Sequence, residues 1–227
     1  MNRRDFLFRS TAGAMGLTIL SPVNPIGYLL SPKMPRQLVL RTPVWLKRYE
    51  GARASSLVWT RRFRLLMDSA FAGMCAPFWW NLCMHYTIHA YMSLPHSVTV
   101  NHHRYVVVTG TMAQCVSNRA MLWVDTHVDR EVSVVPRAVL AVIDNGTSGR
   151  HIWILDNHIA DTGTISDMPR DFRLTMGRWI RSISRFRRLE GGRLQKVIAM
   201  DGDVLIQNPN PRSLGIPLSR CEPLLSR

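Results

Sequence analysis

Between Ser55 and Met74, apolar residues recur at three- and four-residue steps. Trp59, Phe63, Leu66, Met67, Ala70, Phe71 and Met74 share one helical face, and Arg61, Arg62 and Arg64 fall elsewhere. This spacing predicts an amphipathic helix that Pro77 breaks or restarts. Phe78 to Met92 is apolar on nearly all sides and predicts a buried helix. The period then changes. Ser97 to Gly110 alternates around His102-His103 and ends in Tyr105-Val106-Val107-Val108, which predicts a strand pair or one bent strand. Cys115 follows a Gly-Thr turn, and Val116 to Asp125 reads as a short helix.

Two runs rich in β-branched and aromatic residues, Pro136–Ile143 and Arg150–Asn157, flank Asp144-Asn145-Gly146-Thr147-Ser148-Gly149. Turn formers between such runs predict a hairpin. Folded about that loop, Ile143 faces Arg150, and Arg137 falls opposite Asp156, within contact distance. Asp161 to Pro169 reads as loop. Phe172, Met176, Trp179, Ile180, Ile183 and Phe186 trace a second helical stripe, weakened by Gly177. Lys196–Met200 and Asp203–Ile206, joined through Asp201-Gly202, predict a second hairpin. Pro209, Pro211, Pro217 and Pro223 make the end of the chain extended or irregular. No internal repeat is present.

These elements predict an α+β fold, with N-terminal helices packed on a mostly antiparallel sheet. The expected organisation is an export signal over 1–30 with an undefined cleavage point and an irregular lead-in over 31–53. A globular domain over 54–207 and a Pro-rich tail over 208–227 follow.

Composition adds charge to this picture. The 227 residues carry a formal charge of +14 and are 46% hydrophobic, so a sizeable core is affordable and the positive field favours anionic partners. Lysine occurs only at 33, 47 and 196, so the excess is arginine. The four cysteines, Cys75, Cys83, Cys115 and Cys221, have no CxxC spacing, which argues against a zinc ribbon or iron–sulfur cradle. Asn2-Arg3-Arg4-Asp5-Phe6-Leu7 before the apolar run Thr11–Leu20 resembles a twin-arginine translocation signal. Asn2 and Phe8 depart from that pattern. Pro22 and Pro25 end the run short of a bilayer span. The resemblance implies export in the folded state to the periplasm or another extracytoplasmic space, where disulfides are allowed.

Candidate chemistry is sparse. There is no phosphate-binding glycine loop, nucleophile elbow or zinc-protease motif. His85 and His89 stand at i, i+4 with Cys83 close by, a spacing that can aim two imidazoles at one metal. No acidic residue lies between Asp68 and Asp125 to complete such a site, and buried structural histidines are the plainer reading. Between Arg170 and Lys196 there are nine basic and two acidic residues. A helix of that kind can lie on an anionic membrane or envelope polymer through Arg181, Arg185, Arg187 and Arg188, or be a core helix with a solvated face. Nucleic acid is not expected as a partner of an exported chain.

Cys115 before a predicted helix, then Arg137-Ala138-Val139-Leu140-Ala141-Val142, a turn, and Leu155-Asp156-Asn157 resembles the bacterial transglutaminase-like cysteine peptidases. The match covers about a fifth of the chain. It implies a transglutaminase- or papain-like fold, a peptide or protein substrate and no cofactor. It also implies Cys115 as nucleophile and Asp156 as orienting carboxylate. Arg137 stands where that family has its histidine, Ala113-Gln114 replaces the usual Gly-Asp, and the segment between cysteine and strand is short. Arginine stays protonated and cannot shuttle protons. His158, His127 and His151 are candidate substitutes. A peptidase with a relocated base, a non-catalytic relative and a chance match all remain open.

Overall fold

The computed structural model describes residues 43–78, 82–127, 135–146, 149–158, 168–185, 194–201, 204–207, 209 and 214–216. The export signal and most of the lead-in lie outside them, as do Arg187 and Arg188. Within them the fold is α+β, with strands in chain order on one mixed sheet and helices on both faces.

The expected first helix is two. Helix α1 (Ala54–Val58) ends at Trp59, and α2 (Arg61–Ala70) restarts at Thr60, whose hydroxyl accepts the Phe63 N–H at 3.2 Å. A β-region residue whose side chain caps the next turn is a helix start, and it divides the apolar stripe without breaking its period. Trp59, at the corner, is 61% exposed rather than core. The continuous helix expected over Phe78–Met92 is also corrected. A two-rung ribbon of β1 (Cys75–Ala76) and β2 (Leu82–Cys83) comes first, and α3 covers only Met84–Tyr91. The lead-in expected to be irregular contains a helix among its described residues. Pro43–Tyr49 forms a 3-10 helix that buries Trp45 and Leu46.

The main sheet runs β3 (Leu94–Asn101), β4 (Tyr105–Met112), β5 (Cys115–Asp125), β6 (Ala138–Gly146), β7 (Gly149–Asp156), β8 (Leu194–Asp201) and β9 (Val204–Gln207), each beside its predecessor. Every pairing is antiparallel except β7/β8, which are parallel and joined through α4 (Arg170–Arg185). The β3/β4 turn places His102 and His103 at φ 51° and 53°, and Arg104 N–H donates to Asn101 O at 3.0 Å. Two positive φ values in succession are those of a type I′ turn, the hand that fits strand twist.

Cys115–Asp125 is a strand and not the short helix expected there. On it Asn118, Ala120, Leu122 and Val124 face the N-terminal helices, and Met121 and Trp123 face α4. A strand covered on both faces reads as an unbroken apolar run, so its two-residue period is invisible in sequence. The two cores lie on opposite sides of the sheet. One joins Phe63, Leu66, Ile88 and Tyr91 to Val108, Leu122 and Leu140. The other joins Phe172, Met176 and Trp179 to Met121, Val139 and Ile154. Leu214 and Ile216, 0% and 2% exposed, belong to the second core, so the Pro-rich tail contributes to the domain. Gly215 makes this possible: its φ is +77°, and a Cβ there would meet the Arg173 carbonyl oxygen on α4 at 2.2 Å.

Candidate functional site

The β6/β7 hairpin is present, in a register two residues from the expected one. Ile143 pairs with Ile152 and Val139 with Asp156, and pairing continues to Gly146–Gly149. A shift of two preserves which face each side chain takes. Arg137 therefore still reaches Asp156, but diagonally, with Nη2 donating at 2.6 Å and Nε at 3.3 Å. Asp156 is fully buried, and its Oδ1 also accepts the backbone N–H of His158 at 3.1 Å. Asn157 closes the strand end. Its Oδ1 accepts Ala138 N–H at 2.8 Å, and its Nδ2 donates to the Pro136 carbonyl at 2.9 Å.

The same latch recurs at the β4/β5 end, where the sequence reading placed nothing. Arg104 donates from Nε and Nη2 to Asp125 at 2.8 and 2.6 Å, and Asp125 Oδ1 accepts the backbone N–H of His127 at 2.9 Å. That hydrogen bond raises the Arg104 pKa above its ordinary value, against partial burial. The signal was there: Asp125-Thr126-His127 repeats the pattern of Asp156-Asn157-His158. In each latch a strand-ending aspartate binds an arginine and a backbone N–H two residues on. In both, the histidine contributes its main chain rather than its ring to the carboxylate.

Cys115 is not brought to Asp156. It opens β5 beside Met112, across an irregularity in the ladder, and its Sγ lies 3.0 Å from Ser117 Oγ. Met112 stands five positions from Val107, which is level with Trp123, Val139 and Asp156 across the sheet. At about 3.3 Å per residue that is roughly 17 Å along the strands, and two strands over. The helix predicted to follow the thiol is replaced by strand. Cys115, Asp156 and His158 thus form no common site, and Arg137 serves the carboxylate as a fixed ion-pair partner.

The sheet end that does hold Cys115 carries another carboxylate. Asp144, 4% exposed, accepts the Tyr91 hydroxyl at 2.6 Å and Asn118 Nδ2 at 2.9 Å. His151 is its direct cross-strand partner.

His85 and His89 do not converge. His85 Nδ1 lies 2.5 Å from Asp68 Oδ1, so α2 supplies the carboxylate that the sequence lacked nearby. His89 Nε2 must donate to the Val58 carbonyl, 2.5 Å away, because that oxygen only accepts; its ring stacks on Trp59 at 4.6 Å. Burial lowers the His89 pKa, the Val58 carbonyl opposes that, and His85 and Arg64 lower it further. Cys83 sits opposite Cys75. Among the described residues no group of three or more histidine, cysteine, aspartate or glutamate side chains is arranged for a metal.

Helix α4 has the most one-sided surface. Arg170, Arg173, Arg178 and Arg181 are exposed on it, with Leu174 at 47%. Its acidic residue, Asp171, turns inward and accepts Trp123 Nε1 at 2.8 Å, with His102 Nε2 at 3.5 Å. Among the described residues, no acidic side chain pairs with Arg170, Arg173 or Arg178. Beside α4 a groove of about 420 Å³ runs over β3, β4 and β5, lined by His96, Arg119, Arg178 and Trp179 among others, and none of its described lining residues is acidic. Burial and the Arg119 charge lower the His96 pKa, consistent with a positive field in the groove. On the other flank, Arg170, Arg173 and Arg181 border a shallower depression at Gly215. Arg185 lies on the helix.

Among the described residues no helix is long and apolar enough to cross a membrane. No protein-family model, curated protein or solved structure matches the chain. What the fold and site define is a class: an α+β domain with both sheet faces covered and an arginine-lined helix on one side.

Proposed function

We propose that this is a non-enzymatic protein of the cell envelope that docks on an anionic surface through α4. One observation carries the reading. The exposed side of the helix presents Arg170, Arg173, Arg178 and Arg181 while Asp171 is spent on Trp123. Each basic side chain near an anionic lipid surface contributes about 1 kcal/mol. The twin-arginine-like start of the chain supports an extracytoplasmic location, where phospholipid head groups and acidic polymers are the abundant anions. The groove holding Arg119 and His96 extends the same positive surface onto the sheet.

Vesicle co-sedimentation of the full chain tests this. Binding to phosphatidylglycerol vesicles is expected, with little to phosphatidylcholine, and falling steeply from 50 to 500 mM salt. The variant R170Q/R173Q/R178Q/R181Q is expected to lose on the order of 100-fold in affinity or more. Undiminished binding by that variant would sink the proposal.

A second reading keeps thiol chemistry but moves its partners. It is favoured by Cys115 sharing its end of the sheet with Asp144 and His151, an opposed carboxylate and imidazole. It predicts that His151→Ala slows alkylation of Cys115 by iodoacetamide at least tenfold near pH 7. An unchanged rate would remove it.

A further inference from the structure

We propose that Cys75 and Cys83 are a disulfide pair, closing the ribbon between α2 and α3 under oxidising conditions. The β1/β2 ribbon has two rungs, and one of them is Cys75 opposite Cys83. Directly opposed residues of an antiparallel pair have Cα atoms about 4.5–5.5 Å apart with side chains on the same face. A disulfide accepts Cα separations of about 4.4–6.8 Å, so either kind of rung falls within its range, and both thiols are free in this structure. Cys75 is partly exposed and Cys83 exposed, which lets an exchange reagent reach the pair. Cys115 is differently placed, with Met112 as its cross-strand neighbour and the Ser117 hydroxyl against its sulfur.

The chemistry is thiol–disulfide exchange with a disulfide-type oxidant, either a small-molecule disulfide or a protein one. One thiolate attacks an oxidant sulfur, forms a mixed disulfide and expels a thiolate. The second cysteine then attacks the mixed disulfide and expels the other. The protein gives up two protons and two electrons, and the oxidant leaves reduced. The bond would hold the two ends of the segment that carries Phe78. That ring packs at 5.9 Å from Tyr91 and 5.1 Å from Trp153, so the staple fixes a cap on the face of the sheet that the N-terminal helices cover. The proposal is independent of surface docking, because the exchange can be driven in the purified chain.

The test uses full-length protein equilibrated in oxidised or reduced glutathione, alkylated, digested with trypsin and weighed. The expected peptide Leu65–Arg104 contains Cys75 and Cys83 and no other cysteine. From oxidised protein it should carry no alkyl group and weigh two hydrogens less; from reduced protein it should carry two alkyl groups. Reduction should lower the thermal midpoint of the wild type by roughly 5 °C and leave C75S/C83S unmoved. Two alkyl groups on this peptide after oxidation would overturn the proposal. So would linkage of Cys75 or Cys83 to Cys115 or Cys221, or an equal midpoint shift in the double variant.

Discussion

Arg137 and Arg104 perform the same act in different surroundings, and the difference is measurable. Asp156 is 0% exposed and its arginine 21%; Asp125 is 12% exposed and its arginine 46%. Removing one member of a buried pair strands a desolvated charge, which costs about 3–5 kcal/mol, whereas a half-exposed pair is worth about 1 kcal/mol or less. Arg137→Met is therefore expected to destabilise by about 3 kcal/mol and Arg104→Met by about 1 kcal/mol, measured by urea unfolding. Equal losses would mean that water reaches Asp156. The sequence placed this cation beside this carboxylate but left open whether Asp156 serves catalysis, because a strand-ending Leu-Asp-Asn has the same letters whether its carboxylate orients a ring or locks a ladder.

At the scale of elements, His89 ties α3 to the end of α1 through the Val58 carbonyl. Burial holds its pKa below the ordinary 6.5, with the Val58 hydrogen bond partly opposing. The unfolded chain then binds more protons than the folded one between the lowered value and 6.5. Stability is fully present above pH 6.5 and is lost as pH falls through that window. His89→Asn, whose amide can still donate to Val58, should flatten the decline in thermal midpoint between pH 7.5 and 5.5; an equally steep decline would place the titrating group elsewhere. His96, lowered by burial and Arg119, contributes in the same direction and sets the residual slope. Elements also mark where sequence reading failed. The helical stripe of Phe172, Met176, Trp179 and Ile180 was legible because only one side of α4 is buried. Val116–Asp125 was not, because helices cover both faces of β5 and erase its alternation.

For the molecule as a whole, the +14 charge is a field before it is a site. The acid of α4 is turned to Trp123, so the exposed side of this helix carries arginines and no outward-facing acid among its described residues. Hence the docking experiment is expected to respond to four substitutions on α4 more strongly than to salt-equivalent changes in the 3-10 helix, where Lys47 and Arg48 lie.

The sequence by itself determined the class of fold, the two hairpins, the amphipathic helix after Pro169 and the excess of arginine. Each of these follows from local periodicity, turn chemistry or a count. Only the tertiary structure decided register, partnership and distance. It slid the central hairpin by two, set Asp68 against His85, and left the Cys115 sulfur a sheet's length from Asp156. Those outcomes depend on which elements stack on which, and short-range pattern carries no record of that.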